Sequence, residues 1–141
     1  MALDPRLEEL LSKQEIAEQL SRYAQGCDQV DRTKLEACFH PGATTRQGTQ
    51  DGTSAAFIDY ALEVCGRLRG CSHMISNIVI AIDGDSAESE AHFFAHHDLG
   101  EAKGDRFVKG RYIDNWARRD GAWKIVHRVG AYELDRTVGV V

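Results

Sequence analysis

The spacing of apolar residues changes near the middle of the chain. Up to about residue 70 it is helical. Leu7, Leu10 and Leu11 form a short leading segment, and Ser12-Lys13-Gln14-Glu15 matches the capping-box pattern that opens a new helix. Ile16, Leu20, Tyr23, Ala24 and Cys27 continue from it at intervals of three and four, one stripe facing a core. Asp31 is placed to cap a third, short helix through Leu35, Cys38 and Phe39, which His40-Pro41-Gly42 should end. A strand is expected over 43–47. Thr53 or Ser54 then caps a helix carrying Phe57, Ala61, Leu62, Val64, Cys65 and Leu68, with Gly70 as its stop.

Beyond residue 70 the chain is rich in β-branched and aromatic residues, and four strands are expected over 72–82, 86–99, 106–118 and 122–132. Asp120-Gly121, between Trp116 and Trp123, reads as a two-residue type I′ hairpin turn. Helices followed by an antiparallel run predict an α+β fold, with the helices packed on one face of a curved sheet. Alternation puts Ala87, Ala91, Phe93, Ala95, His97 and Leu99 on one face of the second of these strands. Val108, Gly110, Tyr112 and Trp116 share a face on the third, and Val126, Arg128 and Gly130 on the fourth. The first carries apolar residues at both parities, so the pattern does not choose its face. Ala91, Ala95, Gly110 and Gly130 either leave room for a ligand or mark bulges and larger neighbours.

With 141 residues the chain has the length of one domain, expected to span 1–141, and 43% hydrophobic and 28% charged residues are ordinary for a globular protein. A net charge of −5 argues against nucleic acid as a partner. The acidic start (Asp4, Glu8, Glu9) is unlike a signal peptide and no stretch is long enough to span a bilayer, so no membrane partner and a cytoplasmic location are expected. In that setting Cys27, Cys38, Cys65 and Cys71 read as buried thiols. No metal is expected, because the nearest paired ligands, His96 and His97, are adjacent and point to opposite faces of a strand.

Three polar residues stand out. Asp28 falls in the last turn of the long helix, where the macrodipole disfavours an anion, so either another group holds it or it is a solvated acid at a frayed end. His73 opens a strand; with a carboxylate partner such as Asp28 it becomes a general base, and without one it is a core histidine. Arg128, on an inward face, needs an anion, either a polarised ligand atom or a structural acid such as Asp114.

The segment Tyr23-Ala24-Gln25-Gly26-Cys27-Asp28, His73 at a strand head, and Arg119-Asp120-Gly121-Ala122-Trp123-Lys124 followed by Arg128 resemble the SnoaL-like branch of the nuclear transport factor 2 superfamily over roughly 14–132. Within it the chain looks most like the group of scytalone dehydratase, hexachlorocyclohexane dehydrochlorinase and bile acid 7α-dehydratase. The resemblance implies a cone-shaped α+β barrel. It also implies a cofactor-independent lyase, a dehydratase or dehydrohalogenase acting on a small to mid-sized, mostly apolar cyclic substrate. By that resemblance His73 is the base, Asp28 its partner, and Arg128 and Tyr23 stabilise developing charge; His97 is a further polar group, and Phe93, Tyr112 and Trp116 shape the walls. An isomerase or polyketide cyclase would use the same base, and a binding module or accessory subunit would keep the pocket without turnover. Convergence of Tyr23, Asp28, His73 and Arg128 on one cavity would favour an enzyme. The apolar residues at both parities of the first strand of the second half suggest a homotrimer or homodimer.

Overall fold

The computed structural model describes residues 2–139; residues 1, 140 and 141 of the expected 1–141 domain lie outside it. The first helix, α1 (Pro5–Asp28), is one continuous rod. Asp4 caps it by accepting from the Arg6 amide, and Ser12 is buried in mid-helix instead of opening a second helix. No proline or glycine between Pro5 and Gly26 interrupts the hydrogen-bond ladder, so the capping-box pattern has nothing to cap. The stripe Ile16, Leu20, Tyr23, Ala24 and Cys27 is buried as expected, while Leu7, Leu10 and Leu11 stay exposed. Two polar side chains tie this helix down: Gln19 Nε2 donates to the carbonyls of Ala37 and Trp123, and Glu15 accepts from the Trp123 amide.

Asp31 caps α2 (Arg32–Glu36) through the Lys34 amide, but the helix stops before Cys38. Phe39, His40 and Pro41 open β1 (Phe39–Gln47) instead of ending a helix. Its hairpin partner β2 (Gln50–Thr53) carries no apolar alternation and was not anticipated. Thr53 caps α3 (Ser54–Gly66), whose end lies four residues before Gly70.

The four strands of the second half are present as β3 (Gly70–Asp83), β4 (Ser86–Asp98), β5 (Asp105–Arg119) and β6 (Ala122–Val138). The sheet order is β2-β1-β6-β5-β4-β3, antiparallel except for the β1–β6 pair. Asp120 and Gly121 both take positive φ, 51° and 76°, as a type I′ turn requires. The curved, unclosed sheet holds one core cluster on its inner face, under α1 and α3. This is the α+β cone.

Two bulges decide which residues face that core. At Asn77 (φ 53°) the inward set of β3 switches from Cys71, His73 and Ile75 to Ile78, Ile80 and Ile82. That switch is why both parities of β3 are apolar, and it removes the reason for inferring a covered outer face from β3. Opposite Trp116, β6 carries an extra residue, Val126, so Trp123 and Ile125 face inward before it and Arg128 after it. Val126 itself is therefore not on the inner face assigned to it. The glycines are close-approach positions, not empty space: a Cβ on Gly110 would lie 2.2 Å from the Ala131 carbonyl oxygen, and one on Gly130 would lie 2.8 Å from the Gln47 side chain.

Candidate active site

Asp28 ends α1 and His73 sits near the start of β3, and the fold brings them together. The His73 Nδ1–H donates to Asp28 Oδ1 at 2.7 Å, and the His73 backbone N–H donates to Oδ2 at 3.0 Å. The Cys71 thiol adds a longer contact to Oδ1, 3.6 Å. These three donors offset the unfavourable helix-end position of the carboxylate. The His73 side chain is 10% exposed and that of Asp28 24%. With Nδ1 holding the proton against Asp28, the lone pair of neutral His73 lies on Nε2.

His73 forms part of the wall of a cavity of about 90 Å³ between the sheet and the helices. α1 contributes Tyr23 and Cys27, α3 contributes Phe57, Tyr60, Ala61, Val64 and Cys65, and the strands contribute Phe93, Ala95, His97, Arg106, Val108, Tyr112 and Tyr132. Phe93 stacks on Tyr112 at a centroid distance of 4.3 Å, making a flat aromatic floor. Burial pushes the phenols of Tyr23 and Tyr112 well above the usual tyrosine value, so they are neutral hydrogen-bond donors. His97 lies one ladder step from His73, with ring centroids 5.8 Å apart. Loss of solvation, reinforced by the neighbouring His73, lowers its pKa below the ordinary imidazole value, which keeps it neutral.

Two residues assigned to the site lie elsewhere. Arg128 does not border the cavity. Its guanidinium, 0% exposed, forms a bidentate pair with Asp114 at 2.7 and 2.9 Å and lies over the rings of Tyr112 and Tyr23 at 4.0 and 4.2 Å, in the corner these two near-perpendicular rings make. Asp114 is the anion it requires, and the tyrosines screen it from the cavity. Trp116 does not form a substrate wall either: it is buried in the core, where its indole N–H donates to Ser89 Oγ at 2.8 Å. The parity argument put both on the inner face correctly; it could not say which part of that face the cavity occupies.

Several residues at or beside the cavity were missed, Cys71 among the neighbours and Cys65, Phe57 and Arg106 among the lining. Cys71 stands two residues before His73, and strand alternation alone would have placed them side by side. Cys65 and Phe57 belonged to a stripe read as helix core, and only the curl of the sheet turns that stripe into a wall. Arg106 at the mouth is held by Asp135 at 2.8 and 2.6 Å, a pairing across β5 and β6 that no sequence spacing displays.

Comparison with known proteins gives a consistent fold. The SnoaL-like domain family matches residues 8–129. An uncharacterized protein of Mycobacterium tuberculosis is 27% identical over 125 residues, covering 86% of this chain and 85% of that protein. A crystal structure of a putative scytalone dehydratase from Novosphingobium aromaticivorans superposes with a TM-score of 0.83 at 24% identity, over 94% of this chain and 91% of that one. A hexachlorocyclohexane dehydrochlorinase, LinA-type3 from Novosphingobium barchaimii, gives a TM-score of 0.84 at 18% identity, over 96% of each chain. These two structural likenesses are of fold. Among the described residues no helix is long and apolar enough to cross a membrane.

Proposed function

The chain belongs to the SnoaL-like domain family, and on that footing we propose that it is a cofactor-independent lyase, eliminating water or halide from a small, mostly apolar cyclic substrate. The observation that carries this reading is the 2.7 Å contact between His73 and Asp28 at the wall of an aromatic-lined cavity. His73 Nε2 takes a proton from the carbon next to the leaving group. The electrons of that C–H bond become the new π bond, and the leaving group departs with the pair from its own bond. Asp28 holds the imidazole orientation and stabilises the imidazolium. Tyr23 and His97 offer hydrogen bonds to the departing oxygen or halide, and Phe93 and Tyr112 pack against the ring.

Arg128 acts through Tyr23 and Tyr112 and does not contact substrate, so in this scheme it is a positioning residue. Its charge makes both phenols better donors. A cavity of about 90 Å³ favours the small end of the substrate range. The exposed Met74, Val79, Phe94 and Ile113 on β3, β4 and β5 are the remaining reason to expect a homo-oligomer, which sedimentation would settle.

The test is turnover of a panel of small cyclic alcohols and halides, read by product mass. Loss of water or HX supports elimination, and an unchanged mass means isomerisation or cyclisation with the same base. His73→Ala and Asp28→Asn should each lower kcat by roughly a hundred- to ten-thousand-fold without unfolding the protein. Wild-type turnover in either variant would remove the pair from the mechanism.

A further inference from the structure

The cavity wall and the residue next to it carry more metal-ligating atoms than proton abstraction uses. Cys71, His73 and His97 each present one such atom, and the three lie within 4.8 Å of one another. The register explains the cluster: Cys71 and His73 are two apart on the inward face of β3, and Cys71 pairs directly with His97 on β4. His97 is 8% exposed, and neither of its ring nitrogens has a hydrogen-bond partner among the described residues. A buried polar group left in that state costs about 1–3 kcal/mol, which a ligand at that position would recover. A second sulfur, that of Cys65 on α3, lies 4.0 Å from the sulfur of Cys71.

We propose that Cys71, His73 and His97 form a site for a thiophilic divalent cation of the zinc type, and that its occupancy switches off the base. One thiolate and two imidazoles suit Zn²⁺ or Co²⁺ in tetrahedral coordination, whereas Mg²⁺ and Ca²⁺ require oxygen ligands that this cluster lacks. Cys71 Sγ lies 3.5 Å from His73 Nδ1, whose proton Asp28 accepts, so the lone pair a cation takes is that on Nε2 of the same ring, reached by rotation of the Cys71 and His97 side chains with the carboxylate bracing the His73 ring. Metal bonds of about 2.3 Å to sulfur and 2.0–2.1 Å to nitrogen set the ligand atoms about 3.5 Å apart. Separations of up to 4.8 Å therefore close by roughly 1 Å through side-chain rotation, with the strands in place. On binding, the Cys71 thiol releases its proton to solvent, the sulfur and the two imidazoles each donate an electron pair, and water or the Cys65 sulfur takes the fourth position. Nothing is oxidised or reduced. The same lone pair of His73 cannot both hold the cation and accept a substrate proton. The switching part rests on the proposed lyase reading; the binding part does not.

Co²⁺ is the probe, added to chelator-treated protein without substrate. The site predicts a near-ultraviolet thiolate-to-cobalt charge-transfer band that saturates at one equivalent and disappears on adding Zn²⁺. Cys71→Ser should abolish the band, Cys65→Ser should retain it, and His97→Ala should weaken binding by more than about tenfold. X-ray absorption at the zinc edge of the wild-type protein, which needs no variant, should show a sulfur shell with at least two nitrogens. No charge-transfer band in the wild type, a band that survives Cys71→Ser, or an oxygen-only zinc shell would overturn the assignment. If a substrate is found, undiminished turnover in saturating Zn²⁺ would overturn the switch. Saturable binding in a protein that turns over nothing would support the site and count against the lyase reading.

Discussion

The buried Arg128–Asp114 pair offers the sharpest test of how the site is built. Both side chains are 0% exposed, and two contacts at 2.7 and 2.9 Å join them. Asp114→Asn keeps the shape and removes the negative charge, leaving a cation sealed in the core. Breaking a buried pair in this way costs about 3–5 kcal/mol. The faces of Tyr112 and Tyr23 at 4.0 and 4.2 Å still hold the guanidinium, which places Asp114→Asn at the low end of that range. Arg128→Met strands a bare carboxylate with no such support and belongs at the high end. An unfolding entropy of about 2.1 cal/mol/K per residue over 141 residues gives about 0.3 kcal/mol/K, so the two variants should lose about 10–17 °C in Tm. The double variant Asp114→Leu/Arg128→Met removes both charges and should return to within about 1–2 kcal/mol of wild type. Urea titration of the four proteins measures each loss and the recovery in the double variant. If Asp114→Asn keeps its stability to within about 1 kcal/mol while kcat collapses, the reasoning is refuted and Arg128 works at the substrate after all.

Gly110→Ala should cost about 3 kcal/mol, because the new methyl meets the immobile Ala131 carbonyl at 2.2 Å; Gly130→Ala meets only the Gln47 side chain at 2.8 Å and should cost less. Urea midpoints that reverse this order would contradict the close Ala131 carbonyl as the reason for Gly110. Trp116→Phe leaves Ser89 without its 2.8 Å indole partner and should cost about 1–2 kcal/mol, yet KM for any substrate found should hold, since Trp116 does not line the cavity. The Cys65 contact and burial raise the Cys71 thiol and burial raises that of Cys38, so access decides: Cys38 is 0% exposed and Cys71 only half-buried, and in native protein at pH 8 a thiol reagent with mass readout should modify Cys71 before Cys38. Equal labelling rates would show that Cys38 is reachable.

The legible part of the fold was whatever depends on local periodicity. The long stripe from Ile16 to Cys27, the Asp31 and Thr53 caps, the four strands and the Asp120-Gly121 turn each have their cause within a few residues of themselves. The errors fell where a distant partner decides. Ser12 carries a cap pattern, but a helix already running from Pro5 gives it no free amides to cap. Phe39 has a place in a helical stripe, but the edge of β6 is available to it, and Ile125 N donates to the Cys38 carbonyl at 2.9 Å just where that pairing begins. Val126 alternates correctly from Arg128 and wrongly from Ile125, because a bulge inserts one residue between them.

The same division runs through the site. Asp28 was conspicuous because an anion at a helix C-terminus must be held by something, and His73 was a candidate because a strand-opening imidazole becomes a base only with a carboxylate beside it. Each residue therefore pointed to a missing partner, and the two needs were complementary. Arg128 posed the same kind of question, and Asp114 on the neighbouring strand supplies the counter-charge through two of its three nitrogens, leaving Nη1 without a partner among the described residues. His97 is the instructive remainder: its two ring nitrogens are buried and unanswered by any group among the described residues. A core selected for stability alone would have put an apolar residue there or supplied a partner. Gln47, Trp123 and Arg128 each bury one unpartnered atom as well, but among the described residues His97 is the one that borders the cavity, so a molecule or ion received there can complete its interactions.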